Sequence, residues 1–166
     1  MLKRHYRLLY ETGSELDDAV CDAFKLLGFN EIRKIRGNDK EDWIFNFKSL
    51  TNRMYGVIEV KGVKKEISKE DIQQCEGWIT DYINSNKNAK GILIANQFRL
   101  SSYIDTKNSR LRIEHNLNDY ATSRNICIIP SCLLFETVNS LMKGRIRSRD
   151  DIEKILIDSN GVLENL

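Results

Sequence analysis

Glu59, Val60 and Lys61 close the run Tyr55-Gly-Val-Ile-Glu-Val-Lys-Gly, and Asp42 opens the earlier run Asp-Trp-Ile-Phe-Asn-Phe. Side chains alternate faces along a strand, so Glu59 and Lys61 project from one side while Ile58 and Val60 point to the other. A carboxylate and an ammonium then stand side by side. If Asp42 opens a neighbouring antiparallel strand, its carboxylate approaches Glu59 and the two can share one divalent cation. Hard oxygen donors of this kind suit Mg²⁺ or Mn²⁺.

Taken singly, each residue has an ordinary structural explanation. Asp42 can be a strand-end turn residue, and Glu59 with Lys61 an exposed charge set worth tenths of a kcal/mol. The combination weighs more, because Glu59 lies within the apolar stretch Val57 to Val60, where an unpaired carboxylate is costly to bury.

The elements that must position these groups are legible from periodicity. Leu16, Ala19, Val20, Ala23, Phe24 and Leu27 mark an amphipathic helix over residues 14 to 28, with Ser14 as its cap, Asp17 as a short capping-box partner and Gly28 at its end. Glu15 falls in the first turn at the border of the buried stripe, from where its carboxylate can reach toward a sheet; an acid there is equally favoured by the helix dipole. Asp17 and Asp18 read as helix-surface charges. Three short β-rich stretches follow, Glu31 to Ile35, Trp43 to Phe47 and Tyr55 to Val60, separated by turn signals and read as a meander. A helix from about Lys69 to Ile83, an apolar strand from Gly91 to Ala95, an irregular stretch around Ser101 to Asn108, a helix near Ile113 to Ser123, a strand Ile126 to Ile129, a helix Leu133 to Met142 and a short helix in the tail from Asp150 complete the order.

At 166 residues the chain has the length of one domain, enough to bury about 70% of its unfolded surface. No stretch approaches the roughly 18 consecutive apolar residues of a membrane span, and the N-terminus lacks the pattern of a secretory signal, so a cytoplasmic protein is expected. Cys21, Cys75, Cys127 and Cys132 are scattered without zinc-ligand spacing and read as buried, reduced thiols. His5 and His115 have no partner motif, and Trp43 and Trp78 read as core. The net charge is only +2, which excludes binding to nucleic acid by bulk charge and leaves local basic patches. Lys64 and Lys65 directly follow the Glu-x-Lys strand and, with Gly62, are candidate contacts for a phosphate backbone, although a basic patch taken alone is more often a solvated face.

A helix carrying a carboxylate, three meandering strands with an acid on the second and Glu-x-Lys on the third, then helix and strand, resembles the PD-(D/E)XK nuclease superfamily. The resemblance covers about residues 8 to 97 and implies an α/β, restriction-endonuclease-like fold with an αβββαβ core, a mixed central sheet flanked by helices, and a C-terminal extension over about 98 to 166 that adds a strand and helices to a single domain. Asp42 matches the first motif acid, although Glu41 stands where the family name has proline. Glu59 matches the second acid and Lys61 the lysine. Glu15 resembles the additional acid many members carry on the first helix, and Gln74 resembles the glutamine of subfamilies that include helicase-linked nucleases and resolvases, though beside Gln73 an exposed helix polar residue is an equal reading. The implied metal ligands are Asp42, Glu59, the Val60 carbonyl and Glu15. The implied activity is Mg²⁺- or Mn²⁺-dependent hydrolysis of DNA phosphodiesters, as an endonuclease or exonuclease in defence, repair or recombination. A catalytically silent nucleic-acid-binding or assembly module on the same fold is the alternative, and a homodimer or a helicase or specificity partner stays open.

Overall fold

The apolar stripe on residues 16 to 27 folds as expected, with Leu16, Ala19, Val20, Ala23, Phe24 and Leu27 all buried. In the computed structural model, which describes residues 5–34, 43–49, 53–145 and 147–166, this stripe belongs to helix α2 (Gly13–Leu26), preceded by a single helical turn, α1 (Arg7–Tyr10). Strands β1 (Trp43–Asn46) and β2 (Met54–Gly62) form a hairpin. Helix α3 (Lys69–Asn84) then returns the chain to β3 (Asn88–Asn96). After α4 (Tyr103–Leu111) and α5 (His115–Ser123) come β4 (Ile126–Pro130), α6 (Ser131–Met142), α7 (Arg149–Asp158) and β5 (Gly161–Val162).

The five strands lie in sequence order in one mixed sheet. β1 runs antiparallel to β2, and β2, β3, β4 and β5 are mutually parallel. Parallel neighbours need crossover helices, and α3 supplies the first of these. Burial on both faces gives β3 and β4 their unbroken apolar runs. Ile58, Val60, Ile92, Ile94, Cys127 and Ile129 face α2 and α6 in one buried layer, which continues to Ile152, Leu156 and Leu166. Val57, Leu93, Ala95, Ile126 and Ile128 face α3 and α5 in the other.

Four local expectations are corrected. Of the first expected strand, Glu31 to Ile35, whose last residue lies outside the described ones, residues 31–34 form only an isolated bridge between Arg33 and Ile44, following a turn closed by Ile32 N donating to Phe29 O; the Glu31 side chain pairs with Arg149. The stretch expected to be irregular around Ser101 to Asn108 is largely helical: α4 is organised about Arg110, whose buried guanidinium donates to Leu9 O, Phe98 O, Ser101 O and Thr106 Oγ1. These neutral acceptors replace the water that the charge gives up. Ser14 is not the cap of α2, which begins at Gly13 after Thr12. The tail holds β5 as well as its helix, and its Glu153, 0% exposed, accepts the backbone N–H groups of Lys48 and Ser49 in the β1–β2 connection. No helix among the described residues is long and apolar enough to cross a membrane.

Candidate active site

The parity expected of β2 holds: Val60 is buried in the layer under α2, while Glu59 and Lys61 face α3. Lys61 Nζ lies 2.8 Å from Glu59 Oε1 and also donates to Gln74 Oε1 at 2.8 Å. The other carboxylate oxygen, Oε2, accepts the indole N–H of Trp78 at 2.8 Å. Gln74 and Trp78 are four residues apart on α3, one turn, so a single helical face presents both groups to the strand. Glu59 is only 3% exposed, so an unpaired charge here would be strongly disfavoured, and its two partners answer that cost. Beneath them, burial and the Glu59 charge push the Cys75 thiol well above its ordinary range, which keeps it protonated and unreactive.

Helix α2 brings a different acid to this end of the sheet from the one expected. Glu15 is 65% exposed and binds Arg7, with Nη2 at 2.7 Å from Oε2; it does not turn to the core. Asp17, expected on the surface, is buried and pairs with Lys34 Nζ at 3.5 Å. Burial raises its carboxyl above the ordinary value, against the opposing pull of Lys34 and of Lys61, whose charge is close enough to be felt. Two residues along a helix is about a 200° rotation, which is why Glu15 and Asp17 part company. A signal was present: Asp17, Val20, Cys21 and Phe24 follow the i, i+3, i+4, i+7 spacing of the buried side.

Asp42 lies outside the described residues. Its neighbour Trp43 pairs with Ile58, the residue before Glu59. Gly62 is built into the scaffold: its carbonyl accepts the Thr12 hydroxyl at 3.1 Å, and a Cβ on it would stand 2.8 Å from Thr12 Oγ1. Lys64 and Lys65 are exposed on the loop after β2. This loop is joined to the end of β3 by Val63 N donating to Asn96 O and to the loop after β3 by Phe98 N donating to Lys65 O. Among the described residues no three His, Cys, Asp or Glu side chains converge as a metal group. The carboxylates present, Glu59 and Asp17, are nevertheless of the hard-oxygen type that Mg²⁺ and Mn²⁺ take.

No protein-family model and no curated protein matches the sequence. The fold, by contrast, is similar to that of solved structures. Restriction endonuclease FokI superposes with a TM-score of 0.66 at 11% identity, over 96% of this chain and 30% of that one. FokI bound to DNA gives a TM-score of 0.60 at 10% identity, over 99% of this chain and 30% of that one. The present chain therefore has a restriction-endonuclease-like α/β fold and spans about 30% of the length of the structures it resembles.

Proposed function

We propose that this chain is a metal-dependent nuclease that hydrolyses phosphodiester bonds of DNA. The observation that carries the reading is the Glu59–Lys61 pair, with Gln74 on the same ammonium, at one end of the parallel strands of this fold. FokI, whose structure is similar, is a restriction endonuclease and has been seen bound to DNA. Asp42, Glu59 and the Val60 carbonyl would hold the ion, with Asp17 in the supporting place first given to Glu15. A bound Mg²⁺ or Mn²⁺ lowers the pKa of water and offsets charge on the phosphoryl oxygens.

The chain's own residues do the rest. Lys61 orients the attacking water or steadies the negative charge that builds up in the transition state. Gln74 holds the Lys61 ammonium from the helix side and can exchange that bond for one to the water or the phosphate. Lys64 and Lys65 contact the DNA backbone, which positions the strand without reading its sequence. The rigid placement of Gly62 against Thr12 keeps this loop in register with α2.

One observation favours a second reading. Both oxygens of Glu59 already have partners, as in a structural ion pair, and a silent DNA-binding or assembly module would keep that arrangement. The purified protein incubated with labelled duplex, single-stranded and branched DNA, in Mg²⁺, Mn²⁺ or EDTA, separates the two. Cutting that needs metal and disappears in Asp42→Ala and Lys61→Ala supports the nuclease. Binding without cutting under every condition supports the module.

A further inference from the structure

We infer that Trp78 is the positioning residue for Glu59, the anchor that holds this carboxylate in a ligand's orientation when Lys61 turns to the substrate. The inference rests on the nuclease reading above and concerns how its site is kept in order. Glu59 has two partners of different kinds. Lys61 reaches it through a flexible four-carbon stem, is 22% exposed, and shares its ammonium with Gln74. Any contact between that ammonium and a water or phosphate loosens its hold on Oε1. Trp78 is a rigid ring with two rotatable bonds, seated on α3 between the buried residues Cys75 and Ile79 and packed against the layer under that helix.

The chemistry of the indole suits this task. Its N–H is a donor only, does not titrate, and has no lone pair with which to compete for a cation. It occupies one acceptor position on Oε2, and an ionised carboxylate has about four. The remaining positions, on a carboxylate tied at Oε2 by the indole, are what a metal would use. Partners that orient a ligand in this way typically account for about 10- to 100-fold in metal affinity. Gln74 cannot substitute, because its side-chain oxygen is bound to Lys61 and not to Glu59.

The test uses the full chain and Mn²⁺ or Mg²⁺ alone. Mn²⁺ binding is measured by electron paramagnetic resonance of the free ion for the unmodified protein, Glu59→Gln and Trp78→Phe. In parallel the indole N–H resonance of Trp78 is followed by NMR during a Mg²⁺ titration. The expected results are Glu59-dependent Mn²⁺ binding weakened about 10-fold or more in Trp78→Phe, an indole resonance that moves with Mg²⁺, and a fall in kcat for DNA cutting with KM for DNA unchanged. Glu59-dependent binding that is equally tight in Trp78→Phe overturns the positioning role and leaves the nuclease reading standing. Absence of any Glu59-dependent binding in the unmodified protein overturns both. Should Trp78→Phe fail to fold, the indole titration decides: a resonance unmoved at saturating Mg²⁺ overturns the inference.

Discussion

Asp17 Oδ2 lies 3.5 Å from Lys34 Nζ, with the acid 12% exposed and its carboxyl raised above the ordinary value by burial in spite of that lysine. For an acid raised in the folded state, the contribution to stability is fully present below the unfolded value and is lost as pH rises through the folded one. At neutral pH the ionised Asp17 therefore weighs against the fold. Asp17→Asn should melt at a higher temperature than the unmodified protein at pH 7, the difference closing toward pH 4 and below. The same variant should cut DNA poorly, the signature of a group retained at a cost in stability. Thermal melts across pH together with the cutting assay check both halves.

Glu59 and Lys61 separate charge from packing. Lys61→Ala leaves a buried carboxylate held by the Trp78 indole N–H without the ammonium beside it. Because the ammonium it loses is partly exposed, the expected loss is about 1–3 kcal/mol, below the range for a fully buried pair. Glu59→Gln removes the charge but turns one of the two acceptors into an NH2 that meets a donor, Lys61 or Trp78, and should lose a similar amount, about 1–3 kcal/mol. Urea midpoints at unchanged slope would measure these losses, and both variants should be inactive.

Glu153 makes the fold acid-sensitive. Burial pushes its carboxyl up, but the amides of Ser49 and Lys48 and the Arg149 guanidinium outweigh that and hold it below the ordinary 4.5. For an acid lowered in the folded state, the stabilisation is present above the unfolded value and is lost as pH falls through the folded one. Glu153→Gln should thus cost about 2–3 kcal/mol at neutral pH, through the hydrogen bonds to a charged group that it weakens. The gap between the two proteins should narrow on acidification below about pH 4.5, as followed by denaturation at several pH values.

Gly62→Ala tests the scaffold without touching a site side chain. The new Cβ would meet Thr12 Oγ1 at 2.8 Å, Thr12 Cβ at 2.9 Å and the Glu11 carbonyl at 3.0 Å. The last of these is backbone, so relief requires the turn before α2 to shift. A loss of about 1–3 kcal/mol is expected. Cutting should fall by more than the loss of folded protein explains, because α2 carries Asp17.

How much of this was legible in the chain depends on the range of the interactions. The stripe of α2, the alternation of β2 and the apolar run of β3 are local patterns imposed by 3.6- and 2-residue periods, and the pairing of Glu59 with Lys61 across one strand face follows from them directly. The helix expected over about Lys69 to Ile83, observed as Lys69–Asn84, was readable for the same reason, whereas Gln74 was singled out only by the resemblance. Of Glu31 to Ile35, the described residues 31–34 hold only the bridge from Arg33 to Ile44, and the Glu31 side chain is engaged by a partner over a hundred positions away, Arg149, which no local pattern announces. Helix α4 was unreadable because its polar sequence is held by what Arg110 touches, not by an apolar stripe.

Within the site the same division applies. Sequence periodicity by itself determined that Glu59 and Lys61 share one face of β2, since neighbours on one element are set by backbone geometry alone. Tertiary structure decided that Trp78 donates to Glu59, that Asp17 and not Glu15 is the buried acid of α2, and that Gly62 is a packing point. Those outcomes depend on the crossing of helices over the sheet, where a rotation of one residue, about 100°, exchanges solvent for a buried partner.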